Sequence, residues 1–217
     1  MQRSAVLFDL GGVVLGSPLQ AIRDYEQTLG LERNAINRVA AKTAPGGAWS
    51  RLERGELDLE AFYPAFELDC RSAGIEMDAR VMMQEMSRAA GPREIMLEAI
   101  ARLRAADLRV GALTNNWAHT DGSAEPDSGD GTRALKQHFD VFIESSVEGL
   151  RKPDPEIYRI ACDRLGRNAD QVVFLDDIGH NLKPAREMGM ATIKVEAPEA
   201  ALRELEGFVG LELLPSP

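Results

Sequence analysis

SAVLFDLGGVV, residues 4–14, carries an unbroken apolar run, Ala5, Val6, Leu7 and Phe8, that ends on an acid, Asp9. A strand of that composition suits the interior of a parallel sheet, covered on both faces, better than an alternating half-exposed strand. Asp9 then falls at the strand's carboxyl end. Gly11 and Gly12 behind it let the backbone turn tightly and approach a ligand with no Cβ in the way. Ligands of open α/β sheets bind outside the carboxyl ends of the strands, so the rest of the chain is read for what meets the Asp9 carboxylate.

Ser17 followed by Pro18 is a helix start, a capping hydroxyl ahead of a proline at the first helical position, and Leu19, Ile22, Tyr25 and Leu29 continue at helical spacing up to Gly30. A second helix is expected over about residues 34–42, closed by Pro45, Gly46 and Gly47. A third starts at Asp58, with Phe62, Phe66 and Cys70 four apart and Pro64 set to kink or shorten it. A fourth, from Asp78, carries Val81, Met82 and Met86. Four helices with no strand pattern between them predict a helical subdomain over residues 16–90.

Beyond it the pattern alternates. A helix over 92–105, with Ile95, Ala99, Ile100 and Leu103 on one face, leads to a strand over 109–113 ending at Thr114. A loop over 117–132, rich in acids, glycine and serine, is longer than most connections in a compact domain. A short helix over 134–138 precedes strands over 141–143, 172–175 and 191–195, which are interleaved with helices over 154–165, 181–188 and 198–208. This alternation predicts an α/β fold, a Rossmann-like, doubly wound parallel sheet built from residues 1–15 and 91–217.

Composition bounds the function. The 217 residues, 44% hydrophobic and 28% charged, suffice for one core with a smaller appendage. No segment has the apolar length of a membrane span, and the N-terminus lacks a basic start followed by a long apolar stretch, so a cytoplasmic protein with no membrane partner is expected. Cys70 and Cys162 match no metal-site spacing and read as reduced core residues. The net charge of −10 argues against nucleic acid and anionic membranes, although a few local cations and a metal can still hold a phosphorylated small molecule. Monomer and homodimer both remain open.

Every expected strand but the last ends in, or runs into, polar residues. Asp9 follows the first, Thr114 with Asn115 and Asn116 the second, Lys152 lies in the GLRKPDP loop leaving the third, and Asp176 with Asp177 follows the fourth. In a parallel sheet these ends share one edge, which gathers carboxylates, a hydroxyl, an amide and a lysine around one cleft. Hard oxygen ligands for magnesium, a cation and donors for phosphate oxygens together suit phosphoryl transfer. Taken singly, each has a plainer reading: Asp9 before two glycines is equally a turn, and Asp176–Asp177 equally caps the next helix. Side-by-side carboxylates at a strand end nevertheless repel unless a cation sits between them.

FDLGGVV, LTNNW, GLRKPDPEIY and FLDDIGHNLKPAREMGM, in that order and spacing, resemble the four motifs of the haloacid dehalogenase superfamily. Within it the chain is similar to the branch of N-terminal phosphatase domains found in soluble epoxide hydrolases and some acyl-CoA dehydrogenase family proteins. The resemblance implies a Mg2+-dependent phosphatase acting on small-molecule phosphomonoesters. It makes Asp9 the nucleophile that forms an aspartyl-phosphate, Thr114 the hydroxyl on a phosphate oxygen, Asn115 a nearby backbone amide and Lys152 the neutralising cation. Asp9, Asp177 and the Gly11 carbonyl become metal ligands, with Asp176 as an alternative or supporting ligand and Asn181 behind them. The helical insert becomes a mobile cap that covers the site and selects substrate. The position two residues after the nucleophile, where most such phosphatases carry an acid–base Asp, is Gly11 here. His119 and His180 are candidate substitutes for that acid, while His138 reads as structural. The alternatives are a metal-free haloacid dehalogenase and a weakly active domain that binds a phosphorylated ligand for regulation.

Overall fold

The structure, a computed structural model, describes residues 3–117 and 135–214. Five strands, β1 (Ala5–Phe8), β2 (Arg109–Thr114), β3 (Val141–Glu144), β4 (Val172–Asp176) and β5 (Ala191–Lys194), form one parallel sheet in the order β3-β2-β1-β4-β5. The apolar run that opens the chain is its central strand, and all four residues are fully buried. Val6 and Phe8 enter the core under α6 (Glu94–Ala105) and α10 (Pro198–Val209). Ala5 and Leu7 face the opposite way, under α8 (Pro155–Leu165) and α9 (Gly179–Glu187). With both faces covered there is no exposed side to mark with polar residues, which is why the strand does not alternate.

Residues 16–90 pack a cluster of their own, in which Ile22, Phe62, Phe66, Cys70 and Met82 are almost or wholly inaccessible. Four helices were expected there, and five are present: α1 (Pro18–Thr28), α2 (Ala35–Thr43), α3 (Ala48–Glu53), α4 (Leu59–Ser72) and α5 (Ala79–Ala89). The extra one, α3, follows the Pro-Gly-Gly breaker and has no capping residue of its own; its first N–H donates instead to Asp69 Oδ2, 21 residues away, at 2.9 Å. A cap supplied from that far leaves no local signature. α2 is completed in the same way, since Asn34 and Ile36 donate their N–H groups to the buried Glu26 carboxylate at 2.6 and 2.8 Å. Asp78, by contrast, caps α5 locally through Val81 N, as Ser17 caps α1 through Gln20 N.

Further expectations are corrected. Pro64 does not shorten its helix: α4 runs on through Ser72, with Pro64 on the exposed side and Phe62, Phe66 and Cys70 wholly buried opposite. Val81 is 39% exposed, and Met83 takes its place beside Met82 and Met86 in the core. Of the expected helix over 134–138, the described residues hold Leu135 in helical conformation followed by a 3-10 turn, Lys136–His138, and the loop over 117–132 falls almost wholly outside the described residues. No helix among the described residues is long and apolar enough to cross a membrane.

The chain leaves the sheet for the helical insert at Leu15 and returns at Pro92, where the two crossings pair as an antiparallel bridge. Gly16 N donates to Gly91 O at 2.9 Å and Arg93 N to Val14 O at 2.8 Å. Both crossings therefore lie beside the turn that follows Asp9.

Candidate active site

Register brings the strand ends together. Phe8 stands opposite Ala112 of β2 and Leu175 of β4, so the residues just beyond, Asp9, Thr114 and Asp176, share one edge. All three are buried, at 6%, 4% and 0% exposure. Asp9 caps the wide turn Leu10–Val14, its Oδ1 accepting from Leu10 N at 2.7 Å.

Lys152 reaches this edge from the loop between β3 and α8, which begins with the one-turn helix α7 (Ser145–Glu148). Its ammonium, 1% exposed, lies 2.8 Å from Asp9 Oδ1 and 2.7 Å from Asp176 Oδ2. Burial alone would lower the pKa of this lysine, but the two carboxylates outweigh it and the net shift is upward. For Asp9, burial is the largest influence and raises its pKa well above the ordinary carboxylate range. Lys152 opposes that shift, while the charges of Asp176 and Asp177 add to it. Lys152 is thus the buried cation between two of the three acids on this edge.

The adjacent acids Asp176 and Asp177 are not equivalent. Asp176 is enclosed by protein donors: Ile178 N at 2.8 Å, Asn181 Nδ2 at 3.2 and 3.1 Å, and Lys152 Nζ. Asp177 is partly exposed, and its Oδ2 lies over Gly12, where a Cβ would come within 2.2 Å of it. Gly12, at φ 79°, is thus required both by its backbone angle and by the carboxylate above it. Burial and the charge of Asp176 push Asp177 up to about 6. Carboxylate oxygens of Asp9, Asp176 and Asp177 lie within 4.8 Å of one another. An all-oxygen donor set that is already short of positive charge fits a hard divalent cation such as Mg2+.

Gly11 has no steric need to be glycine on φ grounds, since its φ is −63°. A Cβ there would nevertheless meet Pro18 Cγ at 3.0 Å, so the proline that opens α1 fills the space beside the position where an acid side chain would start.

Asn115, which the family resemblance makes a backbone amide donor, also works through its side chain. Nδ2 donates to Lys152 O at 3.1 Å and Oδ1 accepts from Lys152 N at 2.9 Å, clasping the lysine's own peptide groups. Asn116 ties the end of β2 to the next loop through Glu144, Ser145 and Ser146. Arg93, which no motif marked, sends Nη1 to Gly12 O at 2.8 Å and Val13 O at 3.2 Å, bracing the turn behind Asp9 from the returning crossing. A lone arginine after a Gly-Pro pair offers no signal for this contact, which depends on two crossings 80 residues apart lying side by side. His180 is exposed, His138 is half-buried behind the sheet edge, and His119 lies outside the described residues.

A family model described as haloacid dehalogenase-like hydrolase matches residues 4–189. Bifunctional epoxide hydrolase 2 of Sus scrofa is 37% identical over 231 residues, covering 100% of this chain and 40% of its own length. Acyl-CoA dehydrogenase family member 10 of Mus musculus is 32% identical over 96% of this chain and 19% of its own length. The chain therefore spans two fifths or less of these two relatives. The sesquiterpene phosphatase astK of Aspergillus oryzae is 25% identical and matches nearly end to end, 95% of this chain and 96% of its own. Among solved structures, a predicted HAD-like family hydrolase from Porphyromonas gingivalis superposes with a TM-score of 0.65 at 22% identity, over 94% of this chain and 98% of that one.

Proposed function

The chain belongs to the haloacid dehalogenase-like hydrolase family, and from that premise we propose that it is a Mg2+-dependent phosphatase, hydrolysing small-molecule phosphomonoesters through an aspartyl-phosphate on Asp9. The observation that carries the reading is the cluster of three carboxylates, Asp9, Asp176 and Asp177, around one buried lysine. A metal-free dehalogenase acting on an anionic substrate gains nothing from two extra acids, whereas a phosphatase uses one to hold a divalent cation and the other to seat the lysine. The relative named as a phosphatase along its whole length supports the same chemistry.

Asp9, Asp177 and the Gly11 carbonyl would hold the metal, with Asp176 oriented by Asn181 and spent on Lys152. Bound Mg2+ supplies charge neutralisation at the phosphate and lowers the pKa of Asp9, keeping it ionised. Asp9 Oδ1 is occupied by Leu10 N and Lys152 Nζ, so attack on phosphorus falls to Oδ2. The P–O bond to the leaving group breaks as the Oδ2–P bond forms, with Lys152 and the Thr114 hydroxyl on the phosphate oxygens. Water then attacks phosphorus as the Oδ2–P bond breaks, its proton passing to the released phosphate or to solvent, and Asp9 is restored as a carboxylate. The helical insert over 16–90 acts as the cap that selects substrate.

Gly11 offers no side chain to protonate the departing oxygen, and a positioned acid is typically worth roughly 10²–10⁴-fold. Substrates whose leaving group departs without a proton, such as anomeric, acyl and aryl phosphates, are favoured. Phosphate release with and without Mg2+ from aryl, acyl, sugar, nucleotide and lipid phosphates, with Asp9→Asn alongside, tests the reading. Release that survives EDTA or persists in Asp9→Asn would overturn it, and tight binding without turnover would point to a regulatory domain. Across leaving groups of graded pKa the rate should fall steeply; a flat profile would remove the leaving-group argument. Gly11→Asp should raise rates on the poorest leaving groups by about 10²-fold, at the low end of that range, because Pro18 must shift to admit the new Cβ.

A further inference from the structure

Arg151 and Lys152 are neighbours in sequence that reach in different directions. Lys152 Nζ stands between Asp9 and Asp176, while Arg151 Nε meets Glu53 Oε2 at 2.5 Å and its Nη1 donates to Ser50 Oγ at 3.2 Å, both on α3 of the helical insert. Glu53 is 6% exposed, and its other oxygen accepts from Trp49 Nε1 at 3.0 Å. Trp49 in turn meets Trp117, three residues beyond Thr114, edge-on at 6.3 Å. The turn after α3 presses on α7 so closely that a Cβ on Gly55 would come within 2.5 Å of Ser146 O. Among the described residues, α3 and the turn after it therefore meet loops that leave the carboxyl ends of β2 and β3 at Arg151, Trp117 and Ser146.

A buried ion pair is weak support for stability, because the cost of desolvating both charges cancels much of their attraction. Burial raises the pKa of Glu53, with Arg151 and, more weakly, Lys152 pulling it back. The location suggests another use for the pair. The Lys152 peptide groups are clasped from the core side by Asn115, and the preceding side chain is held from the insert side by Glu53. We propose that Glu53 is a positioning residue for Lys152: through Arg151, the seating of α3 on the core sets the loop that holds the Lys152 ammonium against Asp9. The site is complete only when the insert is docked. What Lys152 does once placed rests on the phosphatase reading; the coupling of Glu53 to its loop does not.

The test uses the full chain and p-nitrophenyl phosphate with Mg2+, comparing wild type with Glu53→Gln, Arg151→Met, the double variant and Arg151→Lys. Amide exchange at Lys152 is followed alongside, with Val173 in β4 as internal reference. Glu53→Gln should lower kcat by up to about 10²-fold with KM nearly unchanged, and speed exchange at Lys152 while Val173 keeps its protection. The double variant should be no worse than either single one, since both break the same link, and Arg151→Lys should recover part of kcat. Unchanged kcat together with unchanged Lys152 exchange in Glu53→Gln would overturn the proposal. So would a loss accompanied by faster exchange throughout the sheet, which marks a merely structural pair. If wild type releases no phosphate, the phosphatase reading fails, and Lys152 exchange alone still decides the coupling.

Discussion

The carboxyl edge of the sheet and the helical insert both bury carboxylates, and they use them in opposite ways. In the insert, apart from Glu53, which meets Arg151, the buried Glu26 and the half-buried Asp69 and Glu67 are spent singly on helix N-termini: Glu26 on α2, Asp69 on α3, and Glu67 on Ala79 N at the start of α5. The positive end of a helix and its unpaired N–H groups satisfy each of them locally. At the sheet edge Asp9, Asp176 and Asp177 are set against one another with a single lysine between them. That arrangement is poor for the bare fold and ready for a cation. What a buried acid does is therefore decided by what else lies within reach.

This contrast can be broken most sharply at Asp9. Asp9→Asn should abolish Mg2+-dependent phosphate release, by on the order of 10⁴-fold or more, while leaving the thermal midpoint unchanged or higher, because it removes one of the crowded charges. A large loss of stability would mean that the edge is built for the fold after all. Lys152→Met should cost both: with Asp9 and Asp176 left buried without their cation, about 3–5 kcal/mol is lost and the midpoint falls on the order of 10 °C, measurable by calorimetry.

Phe66→Ala probes the other region. Phe66 is wholly buried among Trp49, Phe62 and their neighbours, so the variant should lose about 3–5 kcal/mol in denaturant unfolding, yet bind Mg2+ as wild type does at temperatures where it remains folded. Impaired metal binding there would show that the insert and the edge are less separable than their packing implies. The smallest effect is expected at Asp177, whose folded pKa of about 6 lies above its ordinary value. A raised acid costs the metal-free fold most when ionised, so stability at this group is gained as pH falls through 6 toward 4 and lost above it. Asp177→Asn should accordingly be more stable than wild type without metal at pH 7.5, by up to roughly 3 kcal/mol, and the difference should shrink to nothing near pH 4. In wild type the apparent Mg2+ affinity should weaken below pH 6, where a proton competes for the same oxygen.

The central strand, the parallel sheet and the convergence of Asp9, Thr114, Lys152 and Asp176 were legible in the chain because Asp9, Thr114 and Asp176 fall at strand ends and Lys152 in the loop that leaves β3. A fully buried strand announces itself by an unbroken apolar run, and a parallel sheet places all such ends on one edge. Helices α1, α4 and α5 were legible from their caps, Ser17, Asp58 and Asp78, since those contacts are local. α3 was not, because its cap comes from Asp69 on another helix.

Local order, strand ends and the crowding of acids follow from residue type and spacing, since chain direction and side-chain period are set by covalent geometry. Tertiary structure alone decided the rest: that Asp176 is enclosed by donors while Asp177 lies open above Gly12, that Asn115 clasps Lys152, that Pro18 crowds Gly11, and that Glu53 reaches Arg151 from the insert. Each of these is a contact between segments far apart in the chain. A sequence states which groups are present, but their partners are chosen only when packing brings distant segments within hydrogen-bond reach.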